Sequence, residues 1–493
     1  MKNKLLICLV TAGLLIACEN FLEIEPQDSL TTTSFYTTSQ DAISAVNAAY
    51  DGFQHLNYYG FNYPMILNIS GADAIKGGFG AGDRAEYLEY GNYSVTNENI
   101  RNVELYQSAW GGVNRANSVL ENVSPMETGS GFSEELKTRI LAEATFLRAM
   151  HYYNLVLGYG GMPIYEEVPK VDAEPRPRAS LEETWAFVIQ DFQNAAAGLP
   201  DTYDGADLGR ATRGAANAML ARISALRGNW QEVITYTDAV FDSPANYALV
   251  EDYGSNFDGN GNNNAESIFE VQYSQSSSSL DVWNDAGDWN SNGISKYASP
   301  QVDDSGWGFM SPAENLVSDY ENGDLRLPAT IYQPGDPFGS GTFDPANSTH
   351  LGNAGQYGLR KYTGIDADGS NGNGFAINWK IIRFGEILLL RAEAENELNG
   401  VTEAALAPLN QIRARAGLPA VNATNNPGLD QSTLRDIILH ERRIELAFEG
   451  VRFYDLVYRD RAVEVLSPRG FEPSDALFPI PPSEISLTGW DQN

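Results

Sequence analysis

The feature that most constrains this chain is a pair of short amphipathic helices written into residues 211–242. Ala218, Leu220, Ala221, Ile223 and Leu226 recur at helical spacing and lead into Gly228-Asn229-Trp230. A second periodic run follows with Val233, Ile234, Tyr236, Ala239 and Val240, and Pro244 closes it. Small side chains let antiparallel helices approach closely, while the aromatic fills the gap beside them. A related pair spans about 379–416. Its first helix carries Phe384, Ile387, Leu388, Ala392 and Ala394; its second carries Ala404, Leu406, Leu409 and Ile412 and ends at Gly417-Leu418-Pro419. A lone pair of this kind leaves an apolar face in water, so such pairs must stack.

Two helices joined at a glycine, with small residues at their contact, resemble the tetratricopeptide repeat. The same periodicity extends along much of the chain. Ala42, Val46, Ala49, Tyr50 and Phe53 mark a helix from Ser39, and another covers about 99–122. The next, about 133–157, opens at Ser133, carries Ile140, Leu141, Ala144, Leu147 and Tyr152, and is expected to stop before Gly158. Ser180 to Ala197 gives a further helix, ended by Gly198 and Pro200, and the last covers about 432–449. Residues 245–378 break the pattern. Gly, Asn, Ser and Asp dominate there, as in Asp258-Gly259-Asn260-Gly261-Asn262, and only short strands such as Ser267 to Tyr273 are expected. A stretch this long without regular structure is either disordered or functional, and its aromatic residues favour function.

The amino terminus reads as an address. Lys2 and Lys4 precede an apolar run, Leu5 to Ile16, which falls short of the about 20 residues a membrane span needs. Leu15-Ile16-Ala17-Cys18 resembles the lipobox cut by lipoprotein signal peptidase, which makes Cys18 the lipidated first residue of the mature chain. Glu19, Glu23 and Glu25 resemble the surface-export signal of Bacteroidota lipoproteins. The boundaries drawn are a signal peptide at 1–17, a lipidated tether at 18–37 and a single domain at 38–493. Its helical scaffold covers about 38–244 and 379–493, around a loop-rich insertion at about 245–378.

Beyond Cys8 and Cys18 there is no cysteine, which excludes a disulfide framework or thiolate metal site in the rest of the chain. The net charge is −33, from 32 basic and 65 acidic residues. Such a surface repels phosphate backbones and anionic headgroups, so no nucleic acid partner is expected, and membrane contact only through the lipid anchor. An uncharged ligand meets no such penalty.

Four stretches occur in a telling order behind the lipobox. The first is Ala142-Glu143-Ala144-Thr145-Phe146-Leu147-Arg148-Ala149 with Tyr159-Gly160-Gly161-Met162-Pro163. The second is Arg383-Phe384-Gly385-Glu386-Ile387-Leu388-Leu389-Leu390-Arg391-Ala392-Glu393-Ala394. Leu409-Asn410-Gln411-Ile412-Arg413-Ala414-Arg415-Ala416-Gly417-Leu418-Pro419 is the third. The fourth is Glu441-Arg442-Arg443-Ile444-Glu445-Leu446-Ala447-Phe448-Glu449-Gly450-Val451-Arg452-Phe453-Tyr454-Asp455-Leu456, with Phe478-Pro479-Ile480-Pro481-Pro482-Ser483-Glu484-Ile485 beyond it.

Together these resemble the SusD/RagB family of Bacteroidota outer-membrane lipoproteins over nearly the whole mature chain. The resemblance implies a mainly α fold. In it, tetratricopeptide-like helix pairs form a right-handed superhelical scaffold under a large, irregular, loop-rich ligand-facing half. It also implies a lipid-anchored protein at the cell surface of the outer membrane, docked as a hinged lid on a SusC-like TonB-dependent transporter. Phe384-Gly385 stands where relatives often have Tyr-Ala, a departure that touches packing only. Glu441, Arg442, Glu445, Arg452 and Asp455 read as scaffold ion pairs along helix faces and at helix ends.

Sugar rings have apolar C–H faces and polar edges, so exposed aromatic planes beside amide, carboxylate or basic groups suit them. Trp283 and Trp289, interleaved with Asp288 and Asn290 and followed by Tyr297 and Trp307, form the first candidate platform. Residues 55–93 form the second, with Tyr58, Tyr59, Phe61, Phe79 and Tyr87, and with Asp73 and Lys76 for hydroxyl contacts. The expected ligand is therefore a polysaccharide or oligosaccharide, uncharged, of glucan or fructan type, bound without chemistry. The alternative is peptide or glycoprotein-glycan binding for import by the same kind of transporter. His55, His151, His350 and His440 lack metal-ligand spacing, and no nucleophile elbow or phosphate loop occurs. No cofactor is expected. The Asp258 and Asp366 loops look faintly calcium-like but lack an EF-hand's position-six glycine and closing glutamate, leaving at most a structural calcium ion. Changing Cys18→Ala should move the protein from the membrane fraction to the soluble one and abolish labelling with radioactive palmitate; retention of both would refute lipidation at that residue.

Overall fold

Side chains that satisfy the free N–H groups at helix starts decide where most of these helices begin. The computed structural model describes residues 35–80, 82–170, 172–274, 292–300, 306–339, 341–347, 356–363 and 376–493. A reciprocal capping box between Thr38 and Asp41 opens α1 (Ser39–Asp51), and α2 (Asn62–Ser70) follows. Asn99 caps α3 (Ile100–Val123), Ser133 caps α4 (Glu134–Tyr159), and a Ser180–Glu183 box opens α5 (Leu181–Gly198). Thr212 caps α6 (Arg213–Leu226), which turns into α7 (Trp230–Phe241). A short helix α8 (Gly293–Ala298) precedes α9 (Phe384–Asn399), α10 (Glu403–Arg415), α11 (Gln431–Glu445) and α12 (Arg452–Tyr458). Two antiparallel ladders matter below: β1 (Ala74–Lys76) with β3 (Met310–Pro312), and β2 (Ser267–Val271) with β4 (Trp379–Arg383).

The helices pack in sequence as the repeat pattern requires. α3 lies on α4, α4 on α5, α5 on α6 and α6 on α7; α9 then packs on α7, α10 and α11. One core cluster runs from Ala42 to Ile480, so the scaffold and the irregular half share an interior. Three boundaries differ from the sequence reading. α4 runs through Gly158 and ends at Gly160, whose φ of 77° breaks the helix. Gly158 faces the Phe478 ring, 3.4 Å from where a Cβ would stand, so it is there for close packing. Residues 379–383 form strand β4 because they pair with β2, and the helix begins at Phe384. The last long helix ends at Glu445, and Phe448 turns the chain with φ of 63°.

The charged side chains of the family-like stretches are buried rather than arrayed on helix faces. Arg383, with no exposed surface, bonds Glu266 at 2.6 Å, Glu445 at 2.5 Å and Glu449 at 2.8 Å. Arg326 reaches Glu441 at 2.6 Å and Glu445 at 3.1 Å, and Arg415 reaches Glu266 at 2.8 Å. Despite its burial, Glu445 is held well below the usual carboxylate range by the guanidinium groups of Arg415, Arg383 and Arg326. Arg442 bonds Asp455 and Arg452 meets Asp73, so this cluster is tertiary scaffold.

The Asp258 loop directs its inward oxygens to a cation already in the chain. The Gly261 carbonyl and the Ser267 hydroxyl each accept from Lys380 Nζ at 3.0 Å, and Glu270 pairs with the same ammonium. Among the described residues no group of three His, Cys, Asp or Glu side chains is placed to hold a metal ion. The Asp366 loop lies outside the described residues.

Two measurements test this interior. Arg383→Met leaves Glu266, Glu445 and Glu449 short of a buried partner and should cost about 3–5 kcal/mol by urea unfolding; a loss under 1 kcal/mol would remove its structural importance. His151 is sandwiched against Phe53 at 4.2 Å, facing Gly112 where a Cβ would stand 2.1 Å away. Burial, assisted by Arg115, depresses its pKa from 6.5 to about 3. The folded protein therefore binds fewer protons than the unfolded chain between those values, and stability falls as pH drops through that window. The His151 contribution should reach about 1.5 kcal/mol between pH 6.5 and 5. It is read as the difference in slope between the parent and His151→Gln, since Glu143, Asp191 and Glu484, raised by burial, act in the opposite direction and His55 in the same one.

Candidate functional site

The β1–β3 ladder continues past its last strand residues into a glycine-rich turn. Gly77 N–H donates to the Phe309 carbonyl at 2.8 Å, and Gly78 N–H donates to the Gly308 carbonyl at 2.9 Å. Gly78 has φ of 86°, and a Cβ there would lie 2.7 Å from the Phe309 ring, so only glycine lets the turn lie against that ring. The next positions outward are Phe79 and Trp307. The turn is closed by Asp83 N–H donating to the Gly80 carbonyl at 3.2 Å and by Phe79 N–H donating to Asp83 Oδ2 at 3.1 Å. Phe79 emerges 69% exposed.

Behind Phe79 stands an ordered aromatic stack. Trp307, half-buried, meets Tyr297 edge-on at 4.7 Å, and Tyr297 stacks on Phe61 at 4.2 Å. The Arg84 guanidinium lies 4.9 Å from the Tyr297 ring centroid and donates to its hydroxyl at 3.3 Å. Arg84 holds a left-handed backbone, φ 49°, costly for a residue with a Cβ. Half-exposed, it has no carboxylate within ion-pair distance among the described residues. Phe79, Trp307 and Arg84 thus offer flat apolar faces beside a cation with unspent donors, in a chain whose net charge is −33. No nucleophile–base pair accompanies them among the described residues.

The candidate residues of the sequence reading fall into three groups. Tyr58 and Tyr59 are a correction: both are core side chains, tied to Asn154, and burial pushes their hydroxyl pKa up. Tyr297 is also buried and supports the platform from beneath. Asp73, read as a hydroxyl contact, instead accepts from Arg443 Nη2 at 2.7 Å and meets Arg452 at 3.3 Å; its burial made a cationic partner obligatory. Lys76 is turned inward, donating to the Gly80 carbonyl at 2.6 Å, with its pKa lowered by burial. Of the second group, Trp307 reaches the surface in part. The third group, Trp283, Asp288, Trp289 and Asn290, lies outside the described residues. Arg84 escaped the sequence reading altogether. An aromatic set among glycines, in the run from Gly77 to Arg84, was the available signal, since such a ring has few neighbours to cover it.

Comparison with known proteins agrees with this architecture. A model described as "SusD family" matches residues 265–464, and one described as "Starch-binding associating with outer membrane" matches residues 20–224. The chain is 27% identical to SusD-like protein P2 of Formosa agariphila, over 98% of this chain and 97% of that protein. Among solved structures, a SusD-like protein from Bacteroides fragilis matches with a TM-score of 0.78 and 25% identity, covering 95% of this chain and 99% of that one. A laminarin-binding SusD-like protein matches with a TM-score of 0.79 and 26% identity, covering 93% of this chain and 99% of that one. With two family models spread over both halves of the sequence and full-length likeness in fold, the chain belongs to the SusD/RagB family of non-catalytic binding proteins.

Proposed function

We propose that this protein binds an uncharged polysaccharide or oligosaccharide, a glucan such as laminarin, at the surface formed by Phe79, Trp307 and Arg84. It then passes the ligand to a SusC-like TonB-dependent transporter in the outer membrane, to which Cys18 tethers it. The observation that carries this reading is the exposed Phe79 ring on the turn that extends the β1–β3 ladder, with the half-buried Trp307 on the facing segment held by the Tyr297–Phe61 stack. Rigid rings lose little entropy on binding, so modest contact area is converted into affinity. Arg84 supplies N–H donors to hydroxyls from a guanidinium seated on the Tyr297 ring and bonded to its hydroxyl. Trp283, Asp288, Trp289 and Asn290, which lie outside the described residues, are proposed as further ligand contacts on their sequence pattern alone. Support for a glucan comes from the laminarin-binding relative of the same fold and from the chain's −33 charge, which penalises acidic polymers.

The test is affinity electrophoresis and calorimetry of the purified protein against a polysaccharide panel including laminarin. Phe79→Ala and Trp307→Ala should each weaken binding about tenfold, the equivalent of about 1.4 kcal/mol of ring contact, without lowering the melting temperature in proportion. Trp283→Ala and Trp289→Ala should weaken it further. Unchanged glycan binding in all four variants, or binding competed away by peptides, would overturn the assignment.

A further inference from the structure

We infer that the cleft between α11, α12 and the segment after α12 is an oxyanion-binding site, taking a carboxylate or a sulfate on Arg452. The cleft encloses about 180 Å³ and is lined by Arg443, Arg452, Arg459 and Arg461 together with Asp319, Asp436, Asp455 and Glu464. Most of these charges cancel in pairs. Arg443 holds Asp319 and Asp73, Arg459 holds Glu393 and Asp455 at 2.6 Å, and Arg461 holds Asp436 and Glu464.

Arg452 is the exception. Its side chain is only 18% exposed, yet its sole polar contact among the described residues is the 3.3 Å approach of Nε to Asp73, an oxygen that Arg443 already takes with two donors. That Nε is buried and makes no hydrogen bond, while the terminal nitrogens reach solvent and have no protein acceptor among the described residues. A part-buried guanidinium whose Nε is buried without a hydrogen bond, and whose terminal donors meet no protein acceptor, is left to water or an ion. Burial and the like charge of Arg443 lower its pKa against the pull of Asp73, and the guanidinium stays charged, so an incoming anion would add a second counter-charge. The carboxylates in the cleft are occupied by other arginines, so none is free to serve Arg452 without stripping a neighbour. A planar or tetrahedral oxyanion fits the fork that its terminal nitrogens present.

The experiment is a melting-temperature titration of the full chain at constant ionic strength. Sodium sulfate is the free-anion probe and sodium glucuronate the sugar-borne carboxylate probe, with sodium chloride as the balance. A saturable rise of about 2 °C with either probe is expected, and its absence with Arg452→Gln. Response to glucuronate but not sulfate assigns the site to acidic sugar residues; the reverse assigns it to free anions. Without added anion, Arg452→Gln should melt at or above the parent temperature, because an unsatisfied charge has been removed. A parent protein indifferent to both probes, or a variant that shifts in parallel with the parent, would overturn the proposal. A variant that melts well below the parent would instead make Arg452 the structural partner of Asp73. Trp307→Ala should keep the anion response, separating this site from the glycan surface.

Discussion

The buried guanidinium of Arg383 is the interaction on which the rest of the architecture depends. It sits at the end of β4, where the irregular half of the chain returns to the helices, and it reaches Glu266 at the foot of β2, Glu445 at the end of α11 and Glu449 just beyond it. Burying four charges costs several kcal/mol per ion before pairing, so the arrangement persists only because each oxygen finds a donor. Arg415 and Arg326 share Glu445, and Lys361 donates to Glu449 at 2.7 Å. The aromatic rings of Tyr253 and Phe257 cover these cations, with Lys361 Nζ 4.1 Å from the Phe257 centroid. Hydrophobic packing would tolerate a slipped register between the two halves; directional ion pairs do not. The loop-rich half is thereby held at a fixed height on the helices, which is what a preformed binding surface requires.

The same bookkeeping clarifies the chain's acidity. Acidic residues outnumber basic ones about two to one, and many of the basic ones are consumed inside. What remains outside is a field that discourages polyanions, broken locally where Arg84 stands over Tyr297 and where Arg452 faces its cleft. Arg84 has no carboxylate in ion-pair range among the described residues, and Arg452 shares its one carboxylate, Asp73, with Arg443. Lys380 shows the opposite solution: a loop with calcium-like composition is filled by an ammonium from the neighbouring strand.

Helix positions were legible to within a few residues because their causes are local: caps such as Thr38, Ser180 and Asp430, and apolar spacing along α6 and α7. Errors arose where a distant partner overrode the local cue. Gly158 looks like a helix end but faces Phe478, and residues 379–383, read as the start of a helix, pair with β2. The candidate surface was less legible. Tyr58 and Tyr59 sit in a polar-looking, aromatic-rich stretch that points inward onto Asn154, whereas Phe79, a few turns on, points out.

By itself the sequence determined the class of the protein: a mainly helical chain of packed helix pairs interrupted by a glycine- and asparagine-rich stretch, with the motifs of the SusD/RagB family. Each of those conclusions rests on composition or on spacing within a few residues. Tertiary structure alone decided which rings and charges are available to a ligand. Asp73 and Arg443 are 370 residues apart in the chain yet neutralise each other, and Phe79 is exposed because Gly78 lets the turn lie flat on Phe309. Exposure and pairing are properties of contacts between distant segments, and no local pattern encodes them.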